Sequence, residues 1–165
     1  MKEKIAMFFG IRKGGKSFDK YSLYAVLISL AVTIILTLWE VFSTASYNFV
    51  WWGALIFLVG AFIRTTARLQ LGKLFTFNVK IMQDHKLKQD GLYKYIRHPG
   101  YTGILIEVIG WCIFFQTFWG TLSAIIFILP AGYYRIKVEE QTLEKNILGY
   151  TEYKKKVKAI IPFLF

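Results

Sequence analysis

The chain has 165 residues, with 21 Lys and Arg against 10 Asp and Glu, a formal net charge of +11. Apolar residues make up 55% and aromatics 18%, which excludes an intrinsically disordered chain; the length favours one domain over two. The cations are segregated, six in 1–20, eight in 64–97 and seven in 135–158, with none in 21–63 or 98–134, which excludes a soluble basic globule and is the pattern of a membrane protein.

Residues 1–20 read as a cytoplasmic basic tail, too charged for a signal-peptide core, whose Met7, Phe8, Phe9 and Ile11 suit the headgroup surface. Gly10 to Ser17 fits GxxxxGK[ST]. That phosphate loop works only between a buried strand and a helix of an α/β domain, and here an apolar run of span length follows it. The match is therefore set aside. Residues 21–165 are expected to form a single all-α integral-membrane domain. A hydrocarbon core about 30 Å thick needs roughly 20 apolar helical residues, and four runs supply them, at about 22–40, 49–66, 101–118 and 120–137. The last two are expected to form a helical hairpin broken at Gly120, packed against each other. Trp39, Trp51, Trp52 and Trp119 fall at run ends, as interfacial aromatics do. Glu40 reads as merely interfacial. The basic blocks predict both termini and the 64–98 segment on the cytoplasmic side, with a prokaryotic inner membrane as the expected host. The four runs mostly lack the polar stripe of helices in a soluble bundle.

The polar residues between and after the spans carry the candidate chemistry, in segments 70–101 and 135–163. In Arg97-His98-Pro99-Gly100-Tyr101-Thr102-Gly103, Pro99 suits the first turn of a helix. The free amides there suit an anion. His98 offers a donor or acceptor, and Tyr101 a wall with a polar tip. The same residues also suit an interfacial anchor. Arg135 and Glu139 are four apart and share a helix face, either as a plain salt bridge or as a pair binding a carboxylate and its neighbours. Glu140 points about 100° away, which makes it a helper or a solvated charge. Glu107, inside the third run, is costly in lipid and normally faces a protein interior or a wet cavity. It is either a substrate-cavity residue or a hydrogen-bonded structural one. Two histidines, His85 and His98, and a single cysteine, Cys112, make no metal set and no internal disulfide. Nucleic-acid binding is not expected, because membrane topology accounts for the basic blocks.

From about Leu71 to Phe163 the sequence resembles the isoprenylcysteine carboxyl methyltransferase family. The motifs are Gly91-Leu92-Tyr93, Arg97 to Gly103, Arg135 to Glu140, and a closing Gly149-Tyr150, Tyr153, Val157 and Ile161-Pro162-Phe163. The resemblance implies a membrane-embedded enzyme using S-adenosylmethionine. His85, Lys86, Leu87 and Lys88 (mainly by their backbone), Tyr93, His98, Pro99, Gly100, Tyr101, Glu139 and Glu140 would hold the cofactor. Arg135 would meet the carboxylate of a lipid-like, prenylcysteine-type substrate entering from the bilayer, with membrane lipids as neighbours. Lys88 and Glu107 stand where the family has apolar residues. Three alternatives stay open at this point. One is an N- or O-methyltransferase of phospholipids or other small lipids. The second is an NADPH-dependent sterol-type reductase. The third is a non-enzymatic scaffold or small transporter.

Overall fold

The computed structural model describes residues 16–19, 21–44, 49–76, 79–81 and 87–160. The chain enters through β1 (Lys16–Asp19), followed by α1 (Tyr21–Thr44) and α2 (Trp51–Leu71). A short β2 (Val79–Ile81) and a 3-10 turn (Gly91–Lys94) lead to α3 (Pro99–Phe115). The long α4 (Phe118–Asn146) and the short α5 (Tyr150–Lys156) complete the order. Among the described residues three helices, α1, α2 and α4, are long and apolar enough to cross a membrane, and α3 is a shorter apolar helix. The basic tail is more than a surface segment where it is described. Lys16–Asp19 pairs antiparallel with Val79–Ile81, and the Asp19 carboxylate accepts from the Tyr21 and Ser22 N–H groups at 2.9 and 3.1 Å, capping α1.

The helices pack as two pairs, α2 on α3 and α1 on α4. Each pair uses a different device. On α2 and α3 the contact is made at glycines. A Cβ placed on Gly60 would lie 2.6 Å from the Glu107 N and the Gly103 O, and one on Gly103 would lie 2.7 Å from the Gly60 O. Gly53 and Gly110 repeat the arrangement seven residues away. Side-chain-free backbones approach closely, which is how helices associate where lipid removes the hydrophobic drive. On α1 the buried residues are Ser22, Val26, Ser29, Thr33, Thr37 and Val41, a stripe with a helical period. Its hydroxyls meet α4 and α3. Ser123 donates to Thr33 at 3.2 Å, and Trp111 Nε1 donates to Thr37 Oγ1 at 3.2 Å.

The expected hairpin is present, but its two helices meet through Tyr101 with Arg135 and Glu139 rather than along their length. Helices α3 and α4 are consecutive and antiparallel, yet α4 packs along α1 and α3 along α2. The chain reverses at Gln116, which is left-handed at φ 51°, and at extended Thr117. It does not reverse at Gly120. Gly120 lies inside α4, where a Cβ would collide with the Thr37 hydroxyl. The start of α4 is fixed by Glu40, whose two carboxylate oxygens accept from the Phe118 and Trp119 N–H groups, each at 2.8 Å. A carboxylate at a helix N-terminus meets both the orphan donors and the positive dipole end. Glu40 is thus a cap borrowed from α1 rather than an interfacial charge. Within α4 a π-helical turn, Ala124–Ile128, precedes Pro130, whose missing N–H and bulky ring disturb the ladder there.

Candidate functional site

At the basic end the two helix pairs part, and a cavity of about 290 Å³ lies between them. One wall is the first turns of α1, with Leu23, Val26, Leu27 and Leu30. The opposite wall is the last turns of α2, with Arg64, Ala67, Arg68 and Leu71. The floor comes from Tyr93 and from His98, Gly100, Tyr101 and Ile104 at the start of α3. Arg135, Glu139 and Leu143 of α4, with Tyr150 and Tyr153 of α5, close it.

The polar centre is built around Tyr101. Its hydroxyl accepts from Arg135 Nε at 3.0 Å and donates to Glu139 Oε2 at 2.8 Å. The predicted Arg135/Glu139 face therefore exists, with Tyr101 of α3 bridging its two members. Arg135 also donates through Nη1 to Ser22 Oγ of α1 at 2.7 Å, which fixes the guanidinium from a second helix. His98 is the N-cap residue of α3, with Pro99 in the first turn. Its carbonyl accepts from the Tyr101 and Thr102 N–H groups, both at 3.0 Å. Among the described residues a Cβ on Gly100 would meet nothing within 4 Å, so this cavity-lining residue leaves space at the helix start.

Behind the floor lies a buried charge cluster. Glu140 Oε1 accepts from Arg97 Nη2 at 2.7 Å and from Arg97 Nε at 3.0 Å, and it sits 3.2 Å from His98 Nε2. Lys154 reaches Glu140 Oε2 at 3.1 Å. Burial works against the Glu140 charge, but the hydrogen bonds from His98, Arg97 and Lys154 outweigh it and hold the carboxyl well below its ordinary range. The closing segment is strapped to the same place. Arg97 N donates to Lys158 O at 2.8 Å, His98 N to Ala159 O at 2.9 Å, and Thr102 Oγ1 to Ile160 O at 2.8 Å. The Tyr153 hydroxyl donates to the Tyr93 carbonyl, and Tyr93 Oη donates to Ala67 O at 3.3 Å. Burial pushes the Tyr153 phenol up to about 12, and that of Tyr93 up as well, so both remain donors.

Comparison with known proteins decides the family. The profile of the isoprenylcysteine carboxyl methyltransferase family matches residues 52–145. The chain belongs to the isoprenylcysteine carboxyl methyltransferase family. It is 31% identical to a protein-S-isoprenylcysteine O-methyltransferase of Schizosaccharomyces pombe over 168 aligned positions, covering 97% of this chain and 66% of that protein. A Saccharomyces cerevisiae protein of the same name is 33% identical, over 91% of this chain and 65% of its own length. Protein-S-isoprenylcysteine O-methyltransferase B of Arabidopsis thaliana is 34% identical over 69% of this chain and 61% of its own. The chain thus spans less than two thirds of the length of these relatives. The solved structure of the eukaryotic intramembrane Ras methyltransferase superposes with a TM-score of 0.62 at 24% identity, covering 98% of this chain and 60% of that one. The fold is therefore that of an integral membrane protein of this family.

Against this family frame, the structure gathers most of the expected site residues. Leu87, Lys88, Tyr93, His98, Gly100, Tyr101, Arg135 and Glu139 all line the cavity. Pro99 is fully buried in the first turn beneath it. Glu140 is neither a solvated charge nor a wall residue. It is 4% exposed and anchors Arg97 and His98 from behind. Glu107 also stands behind the wall, on α3, with its Oε1 2.9 Å from Arg64 Nε. His85, Lys86 and Ile161-Pro162-Phe163 lie outside the described residues, as do Met1 to Gly15. Sequence reasoning missed Arg64, Arg68 and the α1 leucines. The two arginines sit four apart in a basic block that topology alone explained, and leucines in a span carry no individual signal. Tyr150 stood in a recognised motif without a role. In the structure its hydroxyl is buried at the cavity with no hydrogen-bond partner among the described residues.

Proposed function

We propose that the protein is a membrane-embedded methyltransferase that uses S-adenosylmethionine to methylate the carboxylate of a lipid-like, prenylcysteine-type acceptor. The observation that carries this reading is the cavity itself, with the family's Tyr93, His98, Gly100, Tyr101, Arg135 and Glu139 converging on one apolar-walled space. Its volume of about 290 Å³ is at the lower end of small-molecule sites. The basic end is taken to face the cytoplasm.

The residues present fit the cofactor. Glu139 offers a carboxylate to ribose hydroxyls or to an ammonium. Tyr93, Tyr101 and Tyr150 offer aromatic faces to a cation. The Tyr150 hydroxyl, buried without a hydrogen-bond partner among the described residues, is a donor that a ligand acceptor would satisfy. Burial first, and then the nearby Glu140 and Glu139 charges, push its phenol up, so it stays protonated. When bound, S-adenosylmethionine supplies a methyl group activated on a sulfonium. The chain's own task is orientation, which can supply about 7–11 kcal/mol. A carboxylate acceptor is ionised near pH 7 and needs no general base. Arg135, immobilised by Tyr101 and Ser22, orients that carboxylate. The apolar acceptor tail is taken from the bilayer between α1 and α2, which do not pack along each other and which line the cavity with Leu23, Leu27 and Leu30 of α1 and Leu71 of α2.

Methyl transfer from labelled S-adenosylmethionine, assayed with the detergent-purified protein, tests the reading. An N-acetylated S-prenylated cysteine is expected to be methylated and an aminophospholipid is not. Labelling of the aminophospholipid alone would move the protein to the lipid N-methyltransferases.

A further inference from the structure

The charges of the described residues do not balance. Asp19 and Glu40 cap helices, and Glu139 accepts from Tyr101. Every other described carboxylate has a cation within 2.9 Å. Five exposed lysines are left with no carboxylate in ion-pair contact among the described residues: Lys94, Lys137, Lys145, Lys156 and Lys158. Three of them gather at one place. Lys94 and Lys156 line a surface crevice of about 380 Å³ between the Gly91–Lys94 turn and α5, and Lys158 follows just beyond Lys156. Glu152 also lines the crevice, but its Oε1 is held 2.7 Å from Lys155 Nζ. Free carbonyls at the end of α5 would repel an anion, yet those of Lys154 and Val157 accept from Arg97 Nη1. The two sides of the crevice are joined. The Tyr153 hydroxyl donates to the Tyr93 carbonyl, and Ile96 pairs with Lys158 in a parallel bridge. The same contacts fix its depth, because Arg97 N donates to Lys158 O at 2.8 Å and α3 starts at Pro99. An apolar helix starting there puts the crevice at the level of the lipid headgroups, where aromatic side chains with polar tips belong. Tyr95 is such a residue, 57% exposed, with its ring centroid 5.9 Å from Lys94 Nζ.

We infer that this crevice binds a phosphate-bearing anion, met there as the headgroup of an anionic phospholipid, through Lys94 and Lys156 with Lys158 at its edge. Lysine ammonium groups hold phosphate as point charges, and basic pockets beside membrane helices take such headgroups. The bound headgroup offsets charge that the chain leaves unpaired, and it braces the Gly91–Lys94 turn against α5. Tyr153 lines both the crevice and the larger cavity, and Tyr93, the carbonyl partner of its hydroxyl, lines the cavity. The lipid therefore stabilises the cavity floor from outside, without entering the site. The inference is independent of which methyl acceptor the protein uses.

The test is the melting temperature of the delipidated full chain in a neutral detergent, titrated with short-chain phosphatidylglycerol or short-chain phosphatidylcholine. In wild type, saturating phosphatidylglycerol should raise the melting temperature by about 3 °C or more beyond the effect of phosphatidylcholine. Lys94→Gln/Lys156→Gln should lose more than half of that rise. Lys94→Arg/Lys156→Arg should keep it, because both charges remain. Lys145→Gln removes the same kind of charge about 15 Å further along α4 than Arg135, away from the crevice, and should also keep it. Equal rises in wild type and Lys94→Gln/Lys156→Gln overturn the site, and equal rises with the two lipids overturn the anionic headgroup. Glycerol phosphate, added at the same concentration, should have little effect. A rise matching that of phosphatidylglycerol would overturn the lipid source and assign the crevice to a soluble phosphate.

Discussion

The two helix pairs solve one problem by different chemistry. Both must hold helices together in a solvent as apolar as their own side chains. The α2–α3 pair does so by removing side chains, with Gly53 and Gly60 facing Gly110 and Gly103. The α1–α4 pair does so with polar groups, through Thr33–Ser123, Ser22–Arg135 and the Glu40 carboxylate on the first amides of α4. The first device is intolerant of added volume, because backbone cannot move aside. The second is directional but built from individually weak bonds. The cavity lies where the pairs separate, so its walls are positioned by both.

The sharpest way to break the comparison is bulk at the glycine crossing. Gly60→Leu should destabilise by more than about 4 kcal/mol, enough to abolish folding, read as loss of a monodisperse peak and of cooperative melting in detergent. Next comes the charge cluster that joins the floor to α4 and α5. Glu140→Ala leaves Arg97 buried without its carboxylate and should cost about 3–5 kcal/mol, measured as a fall in melting temperature. The same group sets an acid limb. Its folded carboxyl ionises below the ordinary 4.5, so its stabilisation is fully present above about that pH. It is lost as pH falls further through the folded value. A melting series from pH 7 to pH 3 should show this decline in wild type, with Glu140→Gln losing much of its slope.

How far the sequence carried the account depends on which forces are local. The positions of the apolar helices were legible because hydropathy is summed along the chain. The residues of the RHPGYTG and RxxxEE segments stood out as polar groups at helix ends, and the family resemblance is what joined them in one site. The pairing of helices was not legible. Its signals were present, in glycines seven apart on α2 and α3 and in the Ser22, Ser29, Thr33, Thr37 stripe of α1, but neither names its partner. From the sequence Glu40 reads as an interfacial charge and Glu107 as either a substrate-cavity or a structural carboxylate. Only the fold distinguishes a helix cap from the counter-charge of Arg64.

Smaller effects sharpen the contrast. Tyr101→Phe removes the hydroxyl that joins Arg135 to Glu139 and should lower kcat/KM about tenfold, with a fall in melting temperature smaller than that of Glu140→Ala, as expected for lost hydrogen bonds to charged groups. Ser123→Ala should cost only about 0.6 kcal/mol. A loss as large as that of Gly60→Leu would show that the hydroxyl pair is as intolerant as the glycine pair.

The most direct measurement is a calorimetric titration of the purified protein with S-adenosylmethionine, beside Glu139→Ala and Gly100→Ala. Among the described residues a Cβ on Gly100 meets no atom within 4 Å, so that variant should fold as wild type and take up cavity space. Saturable binding in wild type, weakened at least about tenfold in both variants, is the expected result. Binding of equal strength in all three proteins would place the cofactor elsewhere and contradict the account.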